Sequence, residues 1–112
     1  MKIAFTSTGT SWDSMIDPRL GRTEFIVIFD EETNKIQAID NSSVKNEAHG
    51  AGSATAQKLI ELSPDIIITG NGPGETAAKL LLSLNLKIYI NANNLSLEQA
   101  YNNYKNGLLK EL

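Results

Sequence analysis

The sequence predicts an α/β protein built on one mixed five-stranded sheet, with its elements in the order β-β-β-α-β-α-β-α. The first part of the chain holds strand-like segments only, among them the continuous β-forming run FIVIFD (25–30). The second part alternates short apolar runs with segments of helical periodicity, which is typical of parallel strands joined by crossover helices. At 112 residues the chain is long enough for one core, so residues 1–112 are expected to form a single domain.

The first part of the chain shows strand patterns separated by turn-forming residues. KIAFTS has the apolar residues Ile3 and Phe5 at alternate positions, and FIVIFD is a run of β-forming residues. KIQAIDN alternates after the turn EETN, so the second and third segments predict a hairpin. The second strand should run antiparallel to the others. Residues 8–24 have no clean period and are expected to form a loop, and loops of that length are usually functional or mobile. The expected strands are 2–7, 25–30 and 35–41.

The later segments alternate between helix and strand. Ser53 is expected to cap the first helix, and Ser96, followed by Glu98 and Gln99, to cap the last, which Gly107 should end. DIIITG contains three consecutive isoleucines, which is typical of a strand covered on both faces. The expected helices are 52–62, a helix within 70–84 after a glycine turn, and 96–109; the expected strands are 65–70 and 87–91.

The composition of the chain excludes several classes of binding and catalytic site. Ten basic and thirteen acidic residues are scattered along the chain, and the pI near 5.0 argues against non-specific nucleic-acid binding. No apolar run reaches the roughly 20 residues of a membrane helix, and the N-terminus has the pattern of a strand, so a cytoplasmic protein is expected. The absence of cysteine excludes disulfides, thiolate nucleophiles and cysteine-ligated metal sites.

Ligands of open α/β sheets gather beyond the carboxyl ends of the parallel strands. Segments 7–24, 41–52 and 70–75 are expected to converge there. The turn TGNGPGE has glycines at 70, 72 and 74, but it is neither a dinucleotide fingerprint nor a P-loop. A tight turn with a well-capped helix is therefore favoured over a phosphate cradle at this position.

The loop after the first strand offers a possible anion clamp. Arg19 and Arg22 could grip an anionic ligand, or could be solvated arginines beside Asp17, which would cap a turn before the proline. Trp12 and Met15 in the same loop could cover a bound ligand or could pin the loop to the core. The spacing of these residues leaves both alternatives open.

His49 is the only histidine, and it lies in the stretch NEAHGAGSATA. A lone histidine is usually an ordinary polar residue. Gly50 and Gly52 would, however, let a ligand approach the backbone, and the N-terminus of the following helix would offer N–H groups to a negative charge. No other ligands lie nearby in sequence, so a delivered, already-ligated cofactor fits better than a permanent structural metal.

Several stretches together resemble the dinitrogenase iron–molybdenum cofactor biosynthesis family, which includes NifX and the C-terminal domain of NifB. They are DPRLGRTEFIVIFD, a strand ending at Asn41, HGAGSATAQKL, PDIIITGNGPG, LKIYI and AYNNYKNGLL. The resemblance covers nearly the whole chain, and it depends on the order and spacing of these stretches together. It implies a ribonuclease-H-like fold with a five-stranded mixed sheet and flanking helices.

The resemblance also implies a function. It implies binding of iron–molybdenum cofactor, or of an iron–sulfur precursor, by a carrier that catalyses no turnover and meets a cofactor donor or acceptor protein. The histidine of the family's HG motif, the expected cluster ligand, corresponds to His49, and the family's GR motif corresponds to Gly21 and Arg22. Together with the residues favoured by the sequence pattern itself, the full set of expected cofactor-binding residues is Arg19, Gly21, Arg22, Asn41, His49, Gly50 and Gly52.

Two other classes of function stay open at this point. A regulatory or interaction domain would bind a partner protein or a small anion, for which the glycine turn at 70–74 is the support. A nuclease of ribonuclease-H type would need clustered carboxylates to hold two metal ions, one of them usually in the first strand. KIAFTS contains no acidic residue, so the nuclease is disfavoured.

Overall fold

The computed structural model describes residues 1–45 and 51–112, with the backbone alone described at Lys45 and Ala51. Strands occupy the first part of the chain, and strands and helices alternate in the rest. The strands are β1 (Lys2–Ser7), β2 (Phe25–Asp30), β3 (Lys35–Asp40), β4 (Ile66–Ile68), β5 (Lys87–Ile90) and β6 (Lys110–Glu111). The helices are α1 (Ser42–Lys45), α2 (Ala51–Leu62), α3 (Glu75–Leu82) and α4 (Leu97–Lys105).

The strands form one mixed sheet in the order β3-β2-β1-β4-β5-β6. β2 is antiparallel to β1 and to β3, whereas β1, β4 and β5 run parallel. The α/β class, the mixed sheet and the antiparallel second strand are thus confirmed. The ribonuclease-H-like assignment stays a prediction.

The expected count of five strands is wrong, because the described residues form six. β6 pairs antiparallel with β5, with Tyr89 opposite Glu111 and Ile90 opposite Lys110. The last helix ends at Lys105, and Gly107 then turns the chain with a φ of 71°. A two-residue strand is too short to show a period in sequence, so the pattern alone does not predict β6.

Other element ends also differ from expectation. Helix α2 already includes Ser53, so this residue lies inside the helix and is not its N-cap. The short helix α1 was not expected. Ser96 does cap α4, since its hydroxyl accepts from the N–H of Gln99, whose side chain in turn accepts from the N–H of Ser96.

Both faces of the sheet are covered. The three isoleucines of β4 are buried, and they divide between the two faces as the alternation of a strand requires. Ile66 and Ile68 pack in the cluster on the α4 side. Ile67 packs in the cluster that includes Leu59 of α2 and Leu81 of α3.

Trp12 holds the long loop after β1 against the α4 side of the sheet. Its ring lies 5.6 Å from the ring of Phe5, 5.0 Å from that of Phe29 and 5.7 Å from that of Tyr101, measured between centroids. The pinning role, left open by the sequence, is therefore the one observed for Trp12.

Parallel strands bring their ends to one side of the sheet. β1, β4 and β5 end at Ser7, Ile68 and Ile90, and the side where they end is called the carboxyl edge below. None of the helices in the described ranges is long and apolar enough to cross a membrane.

Candidate functional site

At the carboxyl edge, segment 7–24 contacts segment 70–75, and it also contacts Asn41 at the start of segment 41–52. The backbone N–H of Asn71 donates to the carbonyl of Pro18 over 2.8 Å. Gly70 makes this approach possible, because a Cβ at that position would lie 2.6 Å from the Cα of Pro18 and would overlap the side-chain oxygen of Asn93. The loop after β1 and the turn after β4 are therefore packed backbone to backbone.

A buried carboxylate shapes the segment that carries the arginines. Asp17 is 1% exposed, and its Oδ1 accepts from the backbone N–H of Arg19 at 3.1 Å and from the Nε of Arg19 at 3.4 Å. Its Oδ2 accepts from the backbone N–H of Glu24 at 3.1 Å. Asp17 thus forms the turn that the sequence allowed, and it also ties both ends of residues 17–24 together.

The Arg19 side chain contacts that carboxylate through its Nε, and 55% of the side-chain surface is exposed. The guanidinium therefore keeps donors available at the carboxyl edge. Arg22 lies between Gly21 and Thr23 and is half-buried. The structure brings both arginines onto the one segment that Asp17 organises.

Asn41 and Thr55 join this segment to β3 and α2. The side-chain nitrogen of Asn41, a fully buried residue, donates to the carbonyl of Thr23 and to the hydroxyl of Thr55, both at 3.1 Å. The Thr55 hydroxyl donates onward to the carbonyl of Gly21 at 2.8 Å. Since the Thr23 carbonyl can only accept, it fixes which end of the Asn41 amide is the nitrogen.

Thr55 was missed by sequence reasoning. It is a fully buried polar residue, placed four residues before the core residue Leu59 and next to Ala56, also in the core. A hydroxyl on the apolar face of a helix needs a partner. That position was the one signal in the sequence that could have identified it.

The side-chain oxygen of Asn41 is buried and makes no hydrogen bond to any other described residue. An unpaired buried acceptor costs about 1–3 kcal/mol. Asn41 lies at the end of β3, directly before α1 and the connection to α2. Among the described residues, this oxygen therefore has no donor.

The remaining expected residues behave differently. Gly52 belongs to α2, where a Cβ would lie 3.8 Å from the Cβ of Ala77 in α3, so this position is part of the contact between the two helices. His49 and Gly50 lie outside the described residues. Their predicted roles stay predictions.

The glycine turn after β4 is confirmed as a turn. Gly72 has a φ of 92°, which favours glycine. Gly74 is the N-cap of α3 and provides no side-chain cap, so the expected good capping is absent. Glu75, in the first turn of α3, lies 3.3 Å from Lys79 in an exposed pair.

The carboxyl edge also carries a pocket of about 470 Å³ on the side of β5. Its lining is Met15, Ile16, Pro18, Asn93 and Asn94. In the described ranges, no three or more histidine, cysteine, aspartate or glutamate side chains come together as metal ligands would. The described residues therefore lack the carboxylate cluster of a two-metal nuclease.

The chain is similar to solved structures of two other proteins and matches one family model. The apo form of the orange protein from Desulfovibrio gigas is 29% identical, with a TM-score of 0.92 over 99% of this chain and 92% of that one. The NMR structure of a candidate NifB protein from Thermotoga is 27% identical, with a TM-score of 0.84 and the same coverage. No curated protein sequence matches. The family model described as dinitrogenase iron–molybdenum cofactor matches residues 1–107, and the chain therefore belongs to the dinitrogenase iron–molybdenum cofactor family.

Proposed function

We propose that this protein binds and carries an anionic metal–sulfur cofactor, either iron–molybdenum cofactor or an iron–sulfur precursor, without converting it. The observation that carries the proposal is the family match over residues 1–107, which includes every segment at the carboxyl edge. The similarity to a structure described as an apo form adds support, since that word implies a ligand-bound form of the orange protein. The match favours this function over an interaction domain, whose support was the glycine turn.

The residues present fit such a cargo. A metal–sulfur cluster brings its own sulfide ligands, so it needs few ligands from the protein, and the chain has no cysteine to compete with them. His49 would supply one imidazole nitrogen to an open metal position. The side-chain oxygen of Asn41, which has no partner among the described residues, is a buried acceptor at the start of the connection that contains His49.

The arginines would supply charge complementarity. The cluster is an anion, and Arg19 presents an exposed guanidinium whose orientation is fixed by Asp17. Together with Arg22 it would attract the cofactor and slow its loss without a covalent bond. One protein ligand plus charge gives transient binding, which a carrier needs in order to pass its cargo on.

Anaerobic titration with a synthetic iron–sulfur cluster, followed by visible absorption, tests the proposal. The wild-type protein should take up one cluster, and His49→Ala should bind at least tenfold more weakly. Asn46→Ala, a polar substitution in the same connection, is the matched control and should bind like the wild type. Equal binding by wild type and His49→Ala would remove the role of His49, and no uptake by the wild type would overturn the function.

The role of Arg19 has its own control. Arg19→Ala should weaken binding several-fold at low salt and less at high salt, because exposed charges are screened. Lys87 begins β5, at the end of that strand away from the carboxyl edge, and Lys87→Ala removes the same charge there. Equal losses from both substitutions would show that net charge alone matters.

A further inference from the structure

The pocket beside β5 has a fixed wall. The carbonyl of Met15 accepts from the backbone N–H of Thr8 at 3.0 Å and from its hydroxyl at 3.2 Å, and Met15 also bridges to Ser96. The backbone is thus held from both sides, while Met15 itself stays 44% exposed at the pocket. A thioether is presented at the carboxyl edge without being required by the core.

The lining of the pocket also includes two side-chain amides, those of Asn93 and Asn94. The side-chain nitrogen of Asn93 donates to the side-chain oxygen of Asn71 at 2.6 Å, and Gly70 lets Asn93 pack closely over the turn. Asn94 has a φ of 67°, a left-handed conformation that asparagine adopts more readily than most residues. Two asparagine side chains therefore line the pocket, and none of the described residues that line it is acidic.

This pocket adjoins the segment of the arginines. Pro18 lines it, and Arg19 is the next residue in the chain. At about 470 Å³ the pocket has a size common for small-ligand sites, which run from roughly 300 to 1,000 Å³. The pocket is therefore adjacent, along the backbone, to the residue that carries the exposed guanidinium.

We propose that this pocket is part of the cofactor site and receives a sulfide-bearing face of the anionic metal–sulfur cofactor. The thioether of Met15 is a soft, polarisable contact for sulfide, and the amide of Asn94 donates N–H to the negative surface. None of the described residues that line the pocket is acidic, so none of them places a like charge against the anion. This inference rests on the proposed function and adds the residues that contact its ligand.

The test uses tetrathiomolybdate, a coloured and diamagnetic molybdenum–sulfur dianion, as the probe. Met15→Glu places a carboxylate at the exposed mouth and should weaken binding more than tenfold. Asn94→Gly keeps a residue that tolerates positive φ but removes the amide, and should weaken binding about five- to tenfold. In the wild type, the side-chain amide resonances of Asn93 and Asn94 should shift as the probe is added.

Matched controls lie at the other end of the molecule. Leu84 is 51% exposed, and Asn85 has a φ of 62°, both in the turn before β5. Leu84→Glu and Asn85→Gly should bind the probe like the wild type. If the wild type binds and the pocket variants match these controls, the pocket assignment is overturned while the proposed function stands. If the wild type binds no metal–sulfur probe, both are overturned.

Discussion

The carboxylate of Asp17 holds both the backbone N–H and the guanidinium Nε of Arg19, and it is buried while the arginine is exposed. A charged acceptor inside the protein thereby fixes the position of a charged donor at its surface. Its second oxygen takes the N–H of Glu24, so one side chain sets the shape of the whole segment. Asp17 thus positions Arg19, the residue proposed to contact the anionic cofactor.

Asp17→Asn should lower the free energy of unfolding by about 2 kcal/mol, because hydrogen bonds to a charged acceptor are worth roughly 1.5–3 kcal/mol. The amide cannot accept at both of its ends. Urea unfolding followed by Trp12 fluorescence measures the change. Asp13→Asn in the same loop removes an exposed carboxylate and should change stability by less than about 0.5 kcal/mol. Equal effects of the two substitutions would contradict the role of Asp17 in holding residues 17–24 together.

Thr55→Val should destabilise the protein by about 1–3 kcal/mol, since it leaves the Gly21 carbonyl and one N–H of the Asn41 amide without their partner. Valine keeps the shape of threonine, so packing is retained. The measurement is chemical unfolding, with Thr76→Val on the exposed side of α3 as the matched control. A neutral result for Thr55→Val would mean that the network adds nothing to stability.

The fold was predictable where the pattern is local. Three consecutive isoleucines predicted β4, and the serine before α4 predicted its cap, because each signal lies within the element that it defines. β6 was not predictable, since two residues become a strand only through their partner β5. Whether Lys110 and Glu111 form a strand is decided by tertiary pairing and not by their own sequence.

The candidate site was predictable to the level of segments. The topology indicated which loops would meet, but the contacts between them join residues far apart in sequence, such as Thr55 with Gly21 and Asn71 with Pro18. Nothing local in the sequence marks such a pair. The hydrogen bond from the backbone N–H of Glu24 to Asp17 could not be predicted for the same reason.

Gly70→Ala should destabilise the protein by about 1–3 kcal/mol, because its Cβ would meet the backbone of Pro18 and the side chain of Asn93. The matched control is Gly74→Ser. That position has a φ of −65° and no atom within 4 Å of an added Cβ, and serine would supply the missing N-cap of α3. Gly74→Ser should keep or slightly raise the midpoint of urea unfolding. Two equally destabilised variants would contradict the close packing inferred at Gly70.

The free energy of unfolding at acidic pH should depend on Glu31, which lies in the turn between β2 and β3. Lys105 donates to its carboxylate at 2.8 Å and the Tyr101 hydroxyl at 2.5 Å, and these bonds lower the pKa of Glu31 below its ordinary value of 4.5. A lowered pKa contributes stability that is present above pH 4.5 and is lost as the pH falls below that value. Wild type should therefore lose this contribution on acidification.

Glu31→Gln isolates that contribution. Wild type should exceed the variant in free energy of unfolding at pH 7, and the difference should shrink at pH 3, where the carboxylate becomes protonated. Glu32→Gln, an exposed neighbour, should differ little from wild type at either pH. On the alkaline side, burial raises the pKa of Tyr101, and the hydrogen bond to Glu31 raises that of Lys105. Their contributions are present below pH 10 and are lost as the pH rises further. A difference between wild type and Glu31→Gln that stayed constant from pH 7 to pH 3 would show that the ion pair adds no pH-dependent stability.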